Sequence, residues 1–226
     1  MGPEFDLIIF DCDGTLTDSE YLNNRALSDT LGSLGFETYT TEYCRDHLTG
    51  RSMADIKVLI ETRHDATLPE SFIPDFVARA QAYQKDYLKE APGAVEAVHI
   101  LSQTFKTCVA SNGERNNVLS SLRMINLYDF FGENRVFTKS QVARGKPSPD
   151  LFLFAAEKMG APPERVLVIE DSTPGVLGGV AAGMTVFGYT GVSHNPEDVR
   201  KSLIESGARQ IFGSWEDIVV AHQPRR

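Results

Sequence analysis

The chain reads as an α/β protein, a doubly wound parallel sheet interrupted by an inserted all-helical domain. Three observations carry that reading. From about Pro92 onward, short apolar runs bounded by turn residues alternate with helical patterns. The first run, Leu7-Ile8-Ile9-Phe10, is uninterrupted, as expected of a strand covered on both faces. Between Asp18 and Ala91 the apolar spacing is helical and no convincing strand falls there.

Asp6 to Phe10 forms the first strand. Leu22, Ala26, Leu27, Leu31 and Leu34 then recur at helical spacing, and Gly35 stops that helix. Two further amphipathic stretches run from about Met53 to Thr62 and from about Ile73 to Leu88. Pro92-Gly93 marks the return to the main domain. The expected division is 1–18 with 91–226 for the sheet domain and 19–90 for the insert. Helix Ala94–Gln103 leads to strand Thr107–Ala110, helix Glu114–Ile125 and strand Arg135–Thr138. Helix Pro149–Met159 follows, with Ser148 and Pro149 as its N-cap and first residue. Strand Val166–Ile169, the small-residue helix Gly175–Ala182 and strand Thr185–Tyr189 come next. A last strand at Gln210–Phe212 precedes a terminal helix, and only the tail Gln223–Arg226 reads as loose. Right-handed crossovers place the loops after the strands along one edge, where such sheets bind ligands.

Composition narrows the function. The 226 residues carry a formal net charge of −9, which argues against a general nucleic-acid binder. Any phosphate site must therefore be locally positive. Cys12, Cys44 and Cys108 are odd in number and show no close-spaced metal pattern, which points to a reducing compartment. The chain opens on no basic segment followed by an apolar one, and no run approaches membrane-spanning length. The expectation is a cytoplasmic protein, monomer or weak dimer, with neither nucleic acid nor membrane as partner.

Polar clusters fall at or after strand ends: Asp11 and Asp13, Ser111-Asn112-Gly113, Lys146, and Glu170-Asp171. Ionised carboxylates are costly to bury without a cation or dense hydrogen bonding, so a pair closing a buried strand suggests a reactive site. Each cluster suits phosphoryl transfer. One aspartate can attack phosphorus while the second handles protons. A hydroxyl and backbone N–H groups at a helix start can hold phosphate oxygens, and a lysine can neutralise developing charge. A second acidic pair gives oxygen ligands for Mg²⁺. Plainer readings stand beside these: a turn with capping aspartates, a loop with a helix N-cap, an exposed lysine, and acids on a helix dipole. Cys12 points away from its flanking aspartates by strand alternation and reads as a small buried residue. The five histidines are scattered without ligand spacing.

In order and spacing, DCDGTL, Ser111-Asn112-Gly113, Lys146-Pro147 and IEDSTPGV, followed by Ala182-Gly183-Met184, resemble the haloacid dehalogenase (HAD) superfamily over nearly the whole chain. The helical insert resembles that family's first type of cap domain. The resemblance implies a Rossmann-like core and makes Asp11 the nucleophile that becomes an aspartyl phosphate. It makes Asp13 the general acid and base, and Ser111 and Lys146 the phosphate holders, with Asn112 and Gly113 beside them. It implies Mg²⁺ bound by the Asp11 carboxylate, the Asp13 main-chain carbonyl and Asp171, with Glu170 a ligand or a partner of the ligands. Arg51, in Leu48-Thr49-Gly50-Arg51-Ser52, is either a solvated surface arginine or a grip on the substrate's anionic end. Arg79 is a second arginine of that kind.

Asp13 argues against a dehalogenase, which needs no acid on its leaving group. A phosphonatase would bring a Schiff-base lysine from its cap; no convincing one is found, although Lys57 is available. Mutases of the β-phosphoglucomutase type resemble the chain closely around DCDGTLTDSE but carry a histidine where it has Asn23, which leaves water as the acceptor. The chain also resembles sugar-phosphate and sugar-acid-phosphate phosphatases of that subgroup, of the 6-phosphogluconate phosphatase kind. Ser193-His194-Asn195 adds to the likeness. The expected function is Mg²⁺-dependent hydrolysis of a small phosphorylated metabolite beneath a closing cap hinged at Asp18–Glu20 and Glu90–Gly93. Two alternatives stay open, a sugar phosphomutase and a receiver-like phospho-aspartate module. The second would have little use for the base that Asp13 supplies.

Overall fold

The computed structural model describes residues 4–49 and 51–222, so that residues 1–3, Gly50 and the tail 223–226 lie outside the described residues. Strand β1 (Leu7–Phe10) is followed by the two-residue β2 (Thr17–Asp18). Helices α1 (Glu20–Ser33), α2 (Thr41–His47), α3 (Met53–His64) and α4 (Phe72–Tyr87) precede the short β3 (Lys89–Glu90). Alternation then begins: α5 (Ala94–Leu101), β4 (Lys106–Ser111), α6 (Arg115–Met124), α7 (Tyr128–Phe131), β5 (Val136–Thr138), α8 (Asp150–Met159), β6 (Val166–Glu170). The chain closes with α9 (Thr173–Ala181), β7 (Thr185–Tyr189), α10 (Pro196–Glu205), β8 (Gln210–Phe212) and α11 (Trp215–His222).

Two compact units result, one of the residues up to Asp18 with those from Lys89 on, the other Ser19–Leu88. The first holds a six-stranded sheet of order β5-β4-β1-β6-β7-β8, every neighbouring pair parallel. This is the doubly wound α/β arrangement. Strand alternation explains the apolar run at its centre. Ile8 and Phe10 join Val109, Leu167 and Ile169 in a core with Val98, Leu122 and Trp215. Leu7 and Ile9 point the other way, with Cys108, Ala110, Val166 and Val168, onto Leu151 and Phe152 of α8 and Val176 of α9. All four residues of β1 are apolar and buried, so its first polar side chain comes where the strand ends. Small residues let α9 lie close on the sheet, since a Cβ on Gly179 would stand 2.6 Å from Val186 Cγ2.

The helical unit has its own core, including Leu27, Leu31, Cys44, Leu48, Ile56, Ile60 and Phe72. All three cysteines are free and buried, Cys12 among the apolar residues beneath α5 and α11. None of the described helices is long and apolar enough to cross a membrane.

Several elements escape the apolar pattern. Helix α2 buries only Cys44, and it is started by Thr40, whose hydroxyl accepts from the Tyr43 N–H at 3.2 Å. Helix α10 buries only Leu203. Strands β2 and β3 pair as an antiparallel ribbon, Thr17 with Glu90 and Asp18 with Lys89, where no strand was expected. Helix α8 begins at Asp150, with Pro149 at its N-cap, one residue later than expected; the Ser148 hydroxyl donates to Asp150 Oδ1 at 2.5 Å.

Candidate active site

Register brings the acidic clusters together. Phe10 lies opposite Ile169 in the parallel pair β1–β6, and the Asp11 N–H donates to the Ile169 carbonyl at 3.0 Å. One step further along, Asp11 and Glu170 leave the same edge of the sheet side by side. Phe10 also faces Val109, so Ser111 closes β4 at that edge.

Lys146 arrives from the loop between β5 and α8 and inserts its ammonium between the acids. Its Nζ donates to Asp11 Oδ1 and to Glu170 Oε1, each at 2.5 Å. The other Glu170 oxygen accepts from the Ser172 N–H at 2.8 Å and the Ser172 hydroxyl at 2.9 Å. With both oxygens taken, Glu170 holds the lysine. Asp171 Oδ1 accepts from the Thr15 hydroxyl at 3.0 Å. The loop carrying Thr15 is braced in turn by Trp215, whose indole N–H donates to the Thr15 carbonyl at 3.2 Å. Gly14, at φ +85°, bends that loop so closely over Asp171 that a Cβ would stand 2.1 Å from Oδ2.

Asp13 lies on the open side of the cluster, exposed where Asp11 is buried. Its carboxylate and the Ser111 hydroxyl border one spot: a Cβ on Gly113 would lie 3.7 Å from Asp13 Oδ2 and 3.2 Å from Ser111 Oγ. The Ser111 oxygen accepts from the Gly113 N–H at 3.0 Å. Asn112, expected at the phosphate, turns instead to the lysine loop, where it exchanges hydrogen bonds with the Lys146 backbone. Arg51 belongs to the helical unit, exposed, directly before Ser52, the N-cap of α3.

Electrostatics sharpen the picture. Burial raises the Asp11 carboxyl most; Lys146 draws it down, while Glu170 and Asp13 raise it again. Asp171 is raised by burial, then by Glu170 and Asp11. Desolvation also raises Asp13, against Lys146 and Thr17, although its exposure to water limits the effect. Burial works against the Lys146 ammonium, yet Asp11 and Glu170 outweigh it and hold it above an ordinary lysine. Four carboxyl groups thus gather around one ammonium, and the upward shifts of Asp11, Asp13 and Asp171 express the lack of further positive charge, which a bound cation would supply.

The donor set fits a hard divalent ion. One oxygen each from Asp11, Glu170 and Asp171 can be chosen within 4.8 Å of one another. Because the Glu170 oxygens are engaged, Asp11 and Asp171 are the side chains with an oxygen left to give.

The model of the haloacid dehalogenase-like hydrolases matches residues 8–189. The chain belongs to this family. Within it the chain is a phosphoric monoester hydrolase, as its named relatives are. A phosphorylated carbohydrates phosphatase of Thermotoga maritima is 32% identical over 202 residues, 89% of this chain and 91% of its own length. The 6-phosphogluconate phosphatase of Escherichia coli is 29% identical over 192 residues, 83% and 84% of the two chains. A HAD family hydrolase from Deinococcus radiodurans, crystallised with bound phosphate and sodium, has a TM-score of 0.83 at 29% identity, covering 99% of this chain and 100% of its own.

The residues that pattern reading missed are Thr15, Ser172 and Trp215. Thr15 and Ser172 lie inside the quoted motifs, but their partners are set by the fold. Trp215 lies 200 residues from the carbonyl it supports.

Proposed function

We propose that the protein hydrolyses the phosphate monoester of a small sugar or sugar acid, with Mg²⁺, through an aspartyl phosphate on Asp11. The observation that carries this reading is the Asp11 carboxylate, held through Oδ1 by Lys146 at 2.5 Å beside Asp171, with Asp13 on the open side. Its second oxygen accepts no hydrogen bond among the described residues. That oxygen attacks phosphorus in line, forming the bond to Asp11 as the ester bond breaks. Asp13 gives its proton to the departing alkoxide, then takes one from the water that attacks the phosphorus, releasing inorganic phosphate and restoring Asp11. Ser111 and Lys146 hold the phosphoryl oxygens through both steps. Mg²⁺, when bound by Asp11 and Asp171, withdraws charge from the phosphate and offsets the surplus of carboxylates. Choice of leaving group falls in this reading to the helical unit, with Arg51 as the cation for a sugar acid.

The likeness to phosphatases of phosphorylated carbohydrates and of 6-phosphogluconate supports this substrate class. Phosphate release from a panel of sugar phosphates, sugar-acid phosphates and nucleotides, with and without Mg²⁺, tests it. The expected result is Mg²⁺-dependent release from the first two groups and none from Asp11→Asn. Turnover that survives in Asp11→Asn would overturn the nucleophile.

A further inference from the structure

Lys146 differs from the other groups around Asp11. Asp11, Ser111, Glu170 and Asp171 sit at strand ends, where sheet register fixes them, whereas Lys146 lies in a loop outside any strand or helix. What fixes its backbone is Asn112. The Asn112 Nδ2 donates to the Lys146 carbonyl at 2.9 Å, and the Lys146 N–H donates to Asn112 Oδ1 at 2.9 Å. One side-chain amide thus satisfies both main-chain groups of the lysine, as a neighbouring strand would. The preceding residue leaves the room, since a Cβ on Gly145 would stand 2.4 Å from Asn112 Oδ1.

We propose that Asn112 is a positioning residue, which places the Lys146 ammonium on Asp11 through this two-bond clamp, and that Gly145 is required because only glycine leaves the clamp room to close. The inference rests on the phosphatase reading for its kinetic consequence, though not for its structural one. It assigns the motif asparagine to the lysine loop rather than to the phosphate, and it makes a glycine with no contact to substrate a determinant of rate.

Steady-state kinetics of the full chain with Mg²⁺ and a sugar phosphate that the wild type hydrolyses provide the test. Moving a catalytic group by about 1 Å costs up to ~100-fold. Asn112→Ala should therefore lower kcat by roughly 10- to 100-fold. Gly145 is outside the left-handed region, so Gly145→Ala acts mainly by displacing the amide, with a smaller squeeze on the Lys139 Cβ at 3.1 Å, and should produce a comparable loss. The double variant should stay far short of the product of the two losses, because the amide that Gly145→Ala mainly displaces is already gone and only the 3.1 Å contact with Lys139 Cβ remains. In a Lys146→Met background, Asn112→Ala should cost nothing more. A residue of merely structural importance would show its loss there as well.

A wild-type rate in Gly145→Ala, single losses that multiply in the double variant, or a full Asn112→Ala loss in the Lys146→Met background would each overturn the proposal. If Asn112→Ala does not fold, Gly145→Ala carries the same comparison. If the wild type releases no phosphate, the phosphatase reading fails instead. The clamp is then decided by a crystal structure of either variant: Lys146 Nζ displaced from Asp11 and Glu170 supports it, and Nζ still bonded to both refutes it.

Discussion

Gly14→Ala perturbs the cluster without removing any of its chemical groups. Gly14 has φ +85°, a conformation that costs a residue with a Cβ about 1–3 kcal/mol. The new methyl would meet Asp171 Oδ2 at 2.1 Å and Cγ at 2.7 Å. Ordinary contact requires a retreat of about 1 Å. Asp171 cannot make that retreat freely, because Thr15 holds its other oxygen at 3.0 Å and Trp215 braces the Thr15 carbonyl. Either the carboxylate turns away from Asp11 or the Gly14 loop lifts from it. In both cases the oxygens that could share a cation move apart, and disturbing a metal ligand's support typically costs about 10- to 100-fold in affinity. The assay is phosphate release as a function of Mg²⁺ concentration, alongside thermal melts with and without Mg²⁺. The half-saturating Mg²⁺ concentration should rise by at least about tenfold. The melting temperature should fall, and its increase on adding Mg²⁺ should shrink. A Mg²⁺ dependence identical to wild type would refute Asp171 as a ligand and the close packing of Gly14 upon it.

Asp13→Asn keeps the shape of the side chain but removes its proton chemistry. It should slow alkyl phosphates far more than nitrophenyl phosphate, whose leaving group needs no acid; equal slowing across a leaving-group series would refute the acid role. At the far end of the sheet, the Arg165 guanidinium donates to Asp6 through Nε at 2.6 Å and through its second nitrogen at 2.7 Å. Those bonds hold the Asp6 carboxyl below its usual range, against a smaller desolvation. A carboxyl lowered on folding stabilises above its unfolded value, about pH 4, and the gain is lost as pH falls through the folded value. Asp6→Asn should therefore melt below wild type at neutral pH, with a gap that narrows as pH drops below about 4. A gap unchanged between pH 7 and pH 3 would refute the linkage.

What could be read from residues alone follows burial. Leu7 to Phe10 predict a central strand because both faces of a covered parallel strand exclude polar groups, and the chemistry then stands where the run stops. Glu170-Asp171 closes β6 in the same way. Elements that bury little leave no such mark. Helix α10 contributes one buried side chain, and β2 and β3 are pairs of residues joined only through their backbones. Within the site, residue type and role come apart. An asparagine after a strand has the same amide whether it meets phosphate or backbone, and the partner of Asn112 is 34 residues away. Glu170 reads as either a ligand or a partner of the ligands, and only Lys146 and Ser172 on its oxygens favour the second.

The burial of every native thiol has a practical consequence. Desolvation raises Cys12 and Cys108 well above an ordinary thiol and pushes Cys44 up to about 12, so little thiolate forms at neutral pH. Maleimide and iodoacetamide reagents should leave the folded wild-type chain unlabelled. Cysteines introduced at exposed positions, one in each unit, could then carry a fluorophore pair without a cysteine-free background. Labels can then be placed at chosen positions of an otherwise unreactive chain.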